Sequence, residues 1–370
     1  MAEVVRSSES WARSVPSENV QGLAQEMGDT CMEIPERYVR LELDVGVTAI
    51  CDDDDDDDDE GGSDDKVPII DMKRLLDPNF SLEESAKLHS ACMDWGFFQV
   101  VNHGVSDEVI EEIKVDLEEF FKLPLKEKKA FAPLPGGLQG YGHKLVLNEE
   151  KLEWQDMMFL ITQPPHARNF TFWPTSPPTF RSTLDKYSTE IKSVSRCLFD
   201  AIAKNLGLNP EVLCGIFKDH QRMRMNYYPP CPKANQVLGI NPHTDAGGLT
   251  LLLQVRDVQG LQIKRKGKWL PVEPLDKALV VNIGDALEIL TNGKYASVEH
   301  RVMVNKKKER LSIAAYHSPS FDHIIGPLPE LKQGSCEEYY KTMKYDKYLE
   351  FHFIAKVKGK NHMDYMKLNK

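Results

Sequence analysis

No Cys-x-x-Cys pair occurs in this chain. Its seven cysteines, at positions 31, 51, 92, 197, 214, 231 and 336, are dispersed and odd in number. That distribution argues against a disulfide framework and a cysteine-based zinc site, and it predicts free thiols in a reducing compartment. Cys231, in a Pro-Pro-Cys-Pro turn, reads as an inert buried thiol. Long apolar runs are missing too. Nothing approaches the roughly 20 residues of a membrane-spanning helix, and the stretch from Met1 to Ser10 has no apolar core of a secretory signal. The expectation is a cytoplasmic protein. Internal repeats are absent, which argues against a solenoid or propeller.

An excess of basic charge is also lacking. The formal net charge is −11, from 57 acidic against 46 basic residues. Eleven of the acids lie in one stretch: Asp52 to Asp59, Glu60, Asp64 and Asp65. Without them the count is 46 acidic to 46 basic, so the remainder is neutral and offers no nucleic-acid surface. The stretch 52–65 is self-repelling and reads as a disordered loop. Lys306-Lys307-Lys308 reads as a solvated hairpin tip. What the chain does have is material for a sizeable core: 370 residues, 41% hydrophobic and 9% aromatic. A monomer is the default.

Periodicity divides the chain into five parts. Residues 1–66 form an N-terminal extension. Within it, Glu18 to Met32 reads as a short helix with Val20, Leu23, Ala24 and Met27 on one face and Ser17 as N-cap. Residues 67–180 form an α/β region that opens with a strand from Val67 to Asp71. A helix over Leu82 to Trp95 follows, opened by a Ser81–Glu84 capping box, with Leu88, Ala91, Cys92 and Trp95 as its core stripe. A buried strand then runs to Val101. His103 reads as stabilising the next turn, and Ser106 as the N-cap of a helix to Phe121. Pro133 to Gly142 reads as a loop and Trp154 to Ile161 as a strand.

Residues 181–218 hold a long helix linking to the core, with apolar positions at Leu184, Tyr187, Ile191, Val194, Leu198 and Ile202. From 222 the period drops to two. Short strands at 222–228, 249–254, 260–264, 269–272, 278–283, 298–304 and 311–316, separated by Gly, Pro and Asn turns, suggest an all-β sandwich or barrel over 219–319, and a double-sheet jelly roll is the form that keeps an open mouth near a metal. Residues 320–370 read as a C-terminal helical segment, with a helix over Cys336 to Phe353. The fold class is therefore mainly β with flanking helices: a jelly-roll or cupin-like core, a double-stranded β-helix, with an α/β N-terminal region and a C-terminal helix.

Within that core, His243-Thr244-Asp245 is a candidate metal site. Residues i and i+2 of a strand face the same side, so His243 and Asp245 can converge on one ion. A second His-x-Asp, His362-Met363-Asp364, lies in a polar tail with no following strand and reads as incidental. The first is followed by a Gly247-Gly248 turn and the buried run Leu249 to Leu253. His300 lies 55 residues after Asp245, and a barrel can bring it alongside as a third ligand. Two imidazoles and one carboxylate occupy one face of an octahedral ion and leave the other open, the arrangement of non-haem Fe(II) sites. Arg310 then falls on the neighbouring strand, pointing inward. A buried guanidinium needs an anion, and a dicarboxylate ligand supplies one bidentately. Glu309 would point to the opposite face, while Ser312 shares Arg310's face and can donate a second hydrogen bond.

Several motifs together resemble those of the plant 2-oxoglutarate- and Fe(II)-dependent dioxygenases of specialised metabolism. They are Val67-Pro-Ile-Ile-Asp71, Asp94-Trp-Gly-Phe-Phe-Gln-Val-Val-Asn-His-Gly104, Asn226-Tyr-Tyr-Pro-Pro-Cys-Pro232, His243-Thr-Asp245, Val281-Asn-Ile-Gly-Asp285, Ser297-Val-Glu-His-Arg301 and Glu309-Arg-Leu-Ser312. The resemblance runs from about residue 15 to the C-terminus, with the acidic stretch as its main departure. Within the family, the chain most resembles the group of norcoclaurine-synthase-like enzymes, alkaloid and flavone O-demethylases and senescence-related dioxygenases. The resemblance implies Fe(II) held by His243, Asp245 and His300, with 2-oxoglutarate and O2 as cosubstrates and ascorbate in support. It implies that Arg310 and Ser312 hold the distal carboxylate of 2-oxoglutarate, with Tyr228 and Asn226 lining the same pocket. The implied reaction hydroxylates or O-demethylates a small aromatic metabolite and releases succinate and CO2. Tyr141, Phe159, Arg224 and Tyr316 are expected by position to face the substrate. Two other readings stay open: a norcoclaurine-synthase-like Pictet-Spengler condensation on the same fold, and a non-catalytic binding protein.

Overall fold

Two sheets face each other across an interior lined with polar groups. The computed structural model describes residues 14–16, 19–29, 33–40, 66–134, 137–145, 151–332, 337–357 and 362–368. The acidic stretch 52–65, Ser17 and Cys336 lie outside them. The strands that matter are β1 (Ile69–Asp71), β2 (Phe97–Val101), β3 (Gly140–Tyr141), β4 (Asp156–Gln163), β5 (Gln221–Tyr228), β6 (Ile240–His243), β7 (Leu249–Gln254), β8 (Leu261–Arg265), β9 (Lys268–Pro271), β10 (Leu279–Ile283), β11 (His300–Val302) and β12 (Arg310–His317). The larger sheet runs β1-β2-β10-β7-β12-β5-β4-β3, and the smaller runs β9-β8-β11-β6. All pairs are antiparallel except β1–β2. This is the jelly-roll expected from the short, evenly spaced strands.

Residue parity decides what each face does. On the larger sheet Met223, Met225, Leu251, Leu253, Leu279, Val281, Leu311, Ile313 and Ala315 belong to one core cluster, shared with Leu184, Tyr187, Ile191 and Leu198 of the long helix. The opposite face carries Phe97, Val280 and Tyr228, which cluster instead with Ile240, Leu261, Ile263 and Val302 of the smaller sheet. Helices therefore cover one side of the larger sheet, and the smaller sheet covers the other. Polar residues of even number, among them Arg224, Asn226, Asn282, Arg310 and Ser312, are thereby directed between the sheets.

Besides short helical turns, among them Met72–Leu76 and Leu125–Lys129, the helices that matter here are α1 (Val20–Asp29), α2 (Ser81–Ser90), α3 (Asp107–Lys122), α4 (Phe180–Asn205), α5 (Pro210–Phe217), α6 (Asp285–Leu290), α7 (Tyr345–Val357) and α8 (His362–Met366). All six apolar positions expected on the long helix are buried. Ser106 caps α3 by accepting from Val109 N at 3.1 Å. His103 stabilises its turn from both ring nitrogens, against Lys277 O at 2.8 Å and Val105 N at 3.1 Å. Lys306, Lys307 and Lys308 are exposed. No helix among the described residues is long and apolar enough to cross a membrane. Cys92, Cys197, Cys214 and Cys231 carry free thiols, and burial pushes the Cys231 pKa up to about 11.

Three local expectations need correction. The first helix starts at Val20, and its cap is Asn19, which accepts from Gly22 N at 2.7 Å. No capping box opens α2: Ser81 is already helical, and no side chain caps the preceding Phe80. Glu84 is drawn elsewhere, because its buried carboxylate finds stronger donors in Asp71 N at 2.8 Å and Arg74 Nε at 3.3 Å. The C-terminal helix begins at Tyr345, nine residues later than expected, and runs to Val357. Residues before it are tied up in other pairings, Met343–Lys344 with Ile324–Ile325 and Tyr340 with Lys367.

Asp156 of β4 docks the N-terminal helix. Its carboxylate accepts from Val20 N at 3.0 Å, Gln21 N at 3.0 Å and Asn19 Nδ2 at 2.9 Å, where the helix dipole also favours an anion. Replacing it by Ala strands the two backbone donors and leaves Asn19 Nδ2 with Tyr141 Oη alone. Asp156→Ala is expected to destabilise the protein by about 1–3 kcal/mol in urea unfolding and to speed proteolysis at α1. An unchanged midpoint would show that this contact contributes nothing.

Candidate metal centre and cosubstrate pocket

His243 ends β6 and His300 begins β11, and the two lie directly opposite each other in the smaller sheet. Their ring centroids are 4.2 Å apart. Asp245 lies in the turn after β6. His243 Nε2 is 3.7 Å from Asp245 Oδ1, and His300 Nε2 is 3.9 Å from Asp245 Oδ2. One donor atom from each residue falls within 4.8 Å of the others, and no other such group occurs among the described residues. Asp364 of the second His-x-Asp is exposed and pairs with Lys367 at 3.2 Å. That motif is on a helix, where i and i+2 diverge.

The surroundings prepare the triad for a cation. His243 Nδ1 faces Asn241 O at 2.8 Å, and His300 Nδ1 faces Val298 O at 3.1 Å. A ring nitrogen facing a carbonyl must carry the hydrogen, which leaves Nε2 of each ring as the nitrogen that coordinates. Asp245 Oδ2 accepts from Thr250 Oγ1 at 2.6 Å and Asn282 Nδ2 at 2.9 Å. Two donors on one oxygen orient the carboxylate and leave the other oxygen to bind monodentately. Two imidazoles and one carboxylate fit Fe(II).

Behind the triad, Arg310 lies opposite Tyr228 and Ser312 opposite Asn226 on β12 and β5. Arg310 is only 2% exposed. One of its nitrogens donates to Gln254 Oε1 at 2.9 Å, but Nε and Nη1 are buried with no hydrogen-bond partner. Burial lowers its pKa, opposed by the Tyr228 hydroxyl. Glu309 does not neutralise it, being engaged on the other face by Tyr227 Oη at 2.5 Å and Arg256 Nη1 at 2.6 Å. Asn226 Nδ2 reaches Ser312 Oγ at 3.5 Å, and its Oδ1 is also buried without a partner. Such orphaned groups carry a desolvation penalty of about 1–3 kcal/mol each, more for a charge. A carboxylate placed against Arg310 and Ser312 removes the largest of them, so the pocket fits a dicarboxylate such as 2-oxoglutarate. Gly260 makes the room: a Cβ there would fall 2.8 Å from Arg310 Cδ.

The four residues expected to meet substrate divide by parity. Phe159, Arg224 and Tyr316 share the inner face of the larger sheet with Asn226 and Ser312. Phe159 lies opposite Arg224. Arg224 Nη2 is 3.8 Å from Glu153 Oε2, and its Nε has no hydrogen-bond partner. Burial disfavours its charge, but Tyr316 and Glu153 outweigh that and raise its pKa. Burial and then the Asp245 charge raise that of Tyr316. Tyr141, by contrast, pairs with Met158 and so faces the helices. Its ring packs against Phe120 at 5.8 Å and its hydroxyl accepts from Asn19 at 2.9 Å, so it is a core residue and not part of the cavity. Gln254, Thr250 and Asn282 were not anticipated. A polar residue of matching parity inside or at the end of an apolar strand, such as Asn282 in Leu279 to Ile283, is the signal that marks them.

Comparisons with known proteins bear on the same residues. Residues 219–319 match the family described as the 2OG-Fe(II) oxygenase superfamily, and residues 67–176 match the one described as non-haem dioxygenase in morphine synthesis N-terminal. The chain is 48% identical over 356 residues to S-norcoclaurine synthase 1 of Coptis japonica, covering 96% of this chain and 97% of that one. It is 46% identical over 359 residues to 2-oxoglutarate-dependent dioxygenase 11 of Oryza sativa subsp. japonica, covering 96% and 98%. A solved structure of JOX2 in complex with 2OG, Fe and JA superposes with a TM-score of 0.81 at 34% identity, over 96% of this chain and 99% of that one.

Removing the Arg310 guanidinium should act on one ligand selectively. Arg310→Ala is expected to raise KM for 2-oxoglutarate roughly 30-fold or more, matching the ~2 kcal/mol lower bound for breaking a buried charge pair. The assay is succinate release against 2-oxoglutarate concentration. An unchanged KM would remove Arg310 from the pocket.

Proposed function

The chain belongs to the 2OG-Fe(II) oxygenase superfamily, and from that membership we propose that it hydroxylates or O-demethylates a small aromatic metabolite whose polar group is read by Arg224. The protein is a 2-oxoglutarate-dependent dioxygenase, an oxidoreductase using Fe(II), 2-oxoglutarate and O2. When bound, iron and 2-oxoglutarate supply the oxidation: the substrate gains one oxygen of O2 as hydroxyl, and 2-oxoglutarate takes the other and leaves as succinate and CO2. If the carbon attacked is an O-methyl, the hemiacetal product breaks to formaldehyde and a phenol.

The residues do the rest. His243, Asp245 and His300 hold the metal on one face. Arg310 and Ser312 hold the distal carboxylate of 2-oxoglutarate, with Asn226 and Tyr228 beside them. The substrate reading is supported by Phe159, paired with Arg224, and by Tyr316, two residues along β12 from Arg224's partner Ala314, all on the face that carries Asn226 and Ser312. Phe159 and Tyr316 offer aromatic surface. Arg224 keeps its charge in a buried setting with a donor nitrogen to spare, which suits a phenolate, carboxylate or carbonyl on the substrate. Similar proteins carry small-molecule names: one is named S-norcoclaurine synthase 1, and JOX2 is described in complex with JA. The dispersed free thiols support a cytoplasmic setting, and a monomer suffices for this site.

One observation favours a second reading, a condensation without net oxidation: the 48% identity to a protein named S-norcoclaurine synthase 1. A substrate panel followed by mass spectrometry separates the two. Oxidation adds one oxygen or removes CH2 and depends on 2-oxoglutarate and O2; condensation joins two substrates without either. Undiminished turnover in His243→Ala or Asp245→Ala would sink the oxygenase reading. For the best substrate, Arg224→Gln is expected to raise KM about 10-fold while leaving KM for 2-oxoglutarate unchanged, as fits loss of a charged hydrogen bond worth ~1.5 kcal/mol. Equal effects on both constants would place Arg224 outside the substrate subsite.

A further inference from the structure

We propose that the short helix α6 is a bracket holding the two halves of the metal triad in register, and that Tyr340 and Tyr348 of the C-terminal segment set its grip. The proposal rests on the iron-site reading. Asp285 and Glu288, one turn apart on α6, are its two arms. Asp285 is fully buried. Its Oδ2 accepts from Thr244 Oγ1 at 3.1 Å, between the two ligands His243 and Asp245, and its backbone N–H donates to Asp245 O at 2.7 Å. Glu288 Oε2 accepts from Ser297 N, at the start of the segment that leads to His300. That segment also supplies Val298 O, which fixes the His300 ring. One carboxylate therefore grips the His243–Asp245 turn, and the other grips the approach to His300.

Each arm is completed by a tyrosine from the C-terminal segment. Tyr348 Oη donates to Asp285 Oδ2 at 2.5 Å, and Tyr340 Oη donates to Glu288 Oε1 at 2.5 Å. Both tyrosines are buried. His352 Nδ1 lies 3.4 Å from Asp285 Oδ2, and Tyr345 Oη donates to Ala246 O at 3.3 Å, adding a further tie to the ligand turn. The start of α6 presses directly on that turn: a Cβ on Gly284 would fall 2.3 Å from Gly247 O and 2.9 Å from Asp245 O. A buried carboxylate depends on its hydrogen-bond donors to stay where it is. Taking away a tyrosine hydroxyl leaves the arm short of a donor and free to shift, and the ligand segment moves with it. Residues that touch neither metal nor substrate thus act as positioning residues for the metal.

Outer partners of metal ligands typically change metal affinity by about 10- to 100-fold. The test uses full-length apoprotein, anaerobic titration with Fe(II) and with Co(II), and urea unfolding of each apoprotein. Tyr348→Phe and Tyr340→Phe are each expected to bind metal roughly 10-fold more weakly and to shift the visible Co(II) spectrum. Tyr187→Phe, which removes a buried hydroxyl on the long helix, serves as control and is expected to bind metal like the wild type. Thr244→Val releases the same grip from the ligand side without touching the C-terminal segment, and is expected to match Tyr348→Phe. This variant decides the matter if a tyrosine variant does not fold. Wild-type affinity and spectrum in the folded variants overturn the proposal, as does a loss equalled by Tyr187→Phe. If the wild type binds neither metal, the iron-site reading is what fails.

Discussion

A strand shows successive residues to opposite sides, and the chemistry of this protein depends on that period of two. Every strand at the centre of the larger sheet is sorted by it. Odd residues of β5, β7, β10 and β12 build the hydrophobic layer against the helices, and even residues build the cavity wall. A slip of one residue in β12 would turn Arg310 and Ser312 into the helical layer and bring Leu311 and Ile313 inward. The packing of the large core is therefore also what keeps the site in register, because it penalises any such slip heavily.

The site is divided between the sheets. Both histidines come from the smaller sheet, where direct pairing holds them face to face. The anion pocket comes from the larger sheet, where Arg310–Tyr228 and Ser312–Asn226 are cross-strand neighbours. Asp245 lies between, tied by Thr250 and Asn282 to the larger sheet. Distances within each half are set by hydrogen-bonded registers, which are stiff. The gap between halves is set by side chains such as Phe97, Val280, Ile263 and Val302, which fill the space between the sheets. Metal and cosubstrate can be held by separate frames and still meet at one point.

Much of this was legible because it is local or periodic. The strand spacing, the long helix and its apolar stripe, the His-x-Asp at a strand end and the inward Arg-x-Ser all follow from short windows. Glu309 and Arg310 divide between faces as the period requires. What escaped the sequence depends on distant partners. Glu84 carries a capping-box spacing, yet Asp71 N and Arg74 compete for its carboxylate and win. Tyr141 is in a glycine-rich loop that suggests a cavity edge, but pairing with Met158 assigns it to the core. Gln254, Thr250 and Asn282 matter because of the strands they lie beside, which no short window shows. The two tyrosines that brace α6 lie 52 and 63 residues from the carboxylates they meet.

The unmatched guanidinium of Arg310 has a consequence for the protein's life outside catalysis. A folded chain that buries a charge with two idle donors is less stable than the same chain with an anion in place, and the unfolded chain has no such pocket. Ligand that binds only the folded form adds RT ln(1 + [L]/Kd), about 2.7 kcal/mol at a hundredfold excess over Kd. Resistance of the folded chain to unfolding therefore rises with the concentration of the dicarboxylate that fills the pocket.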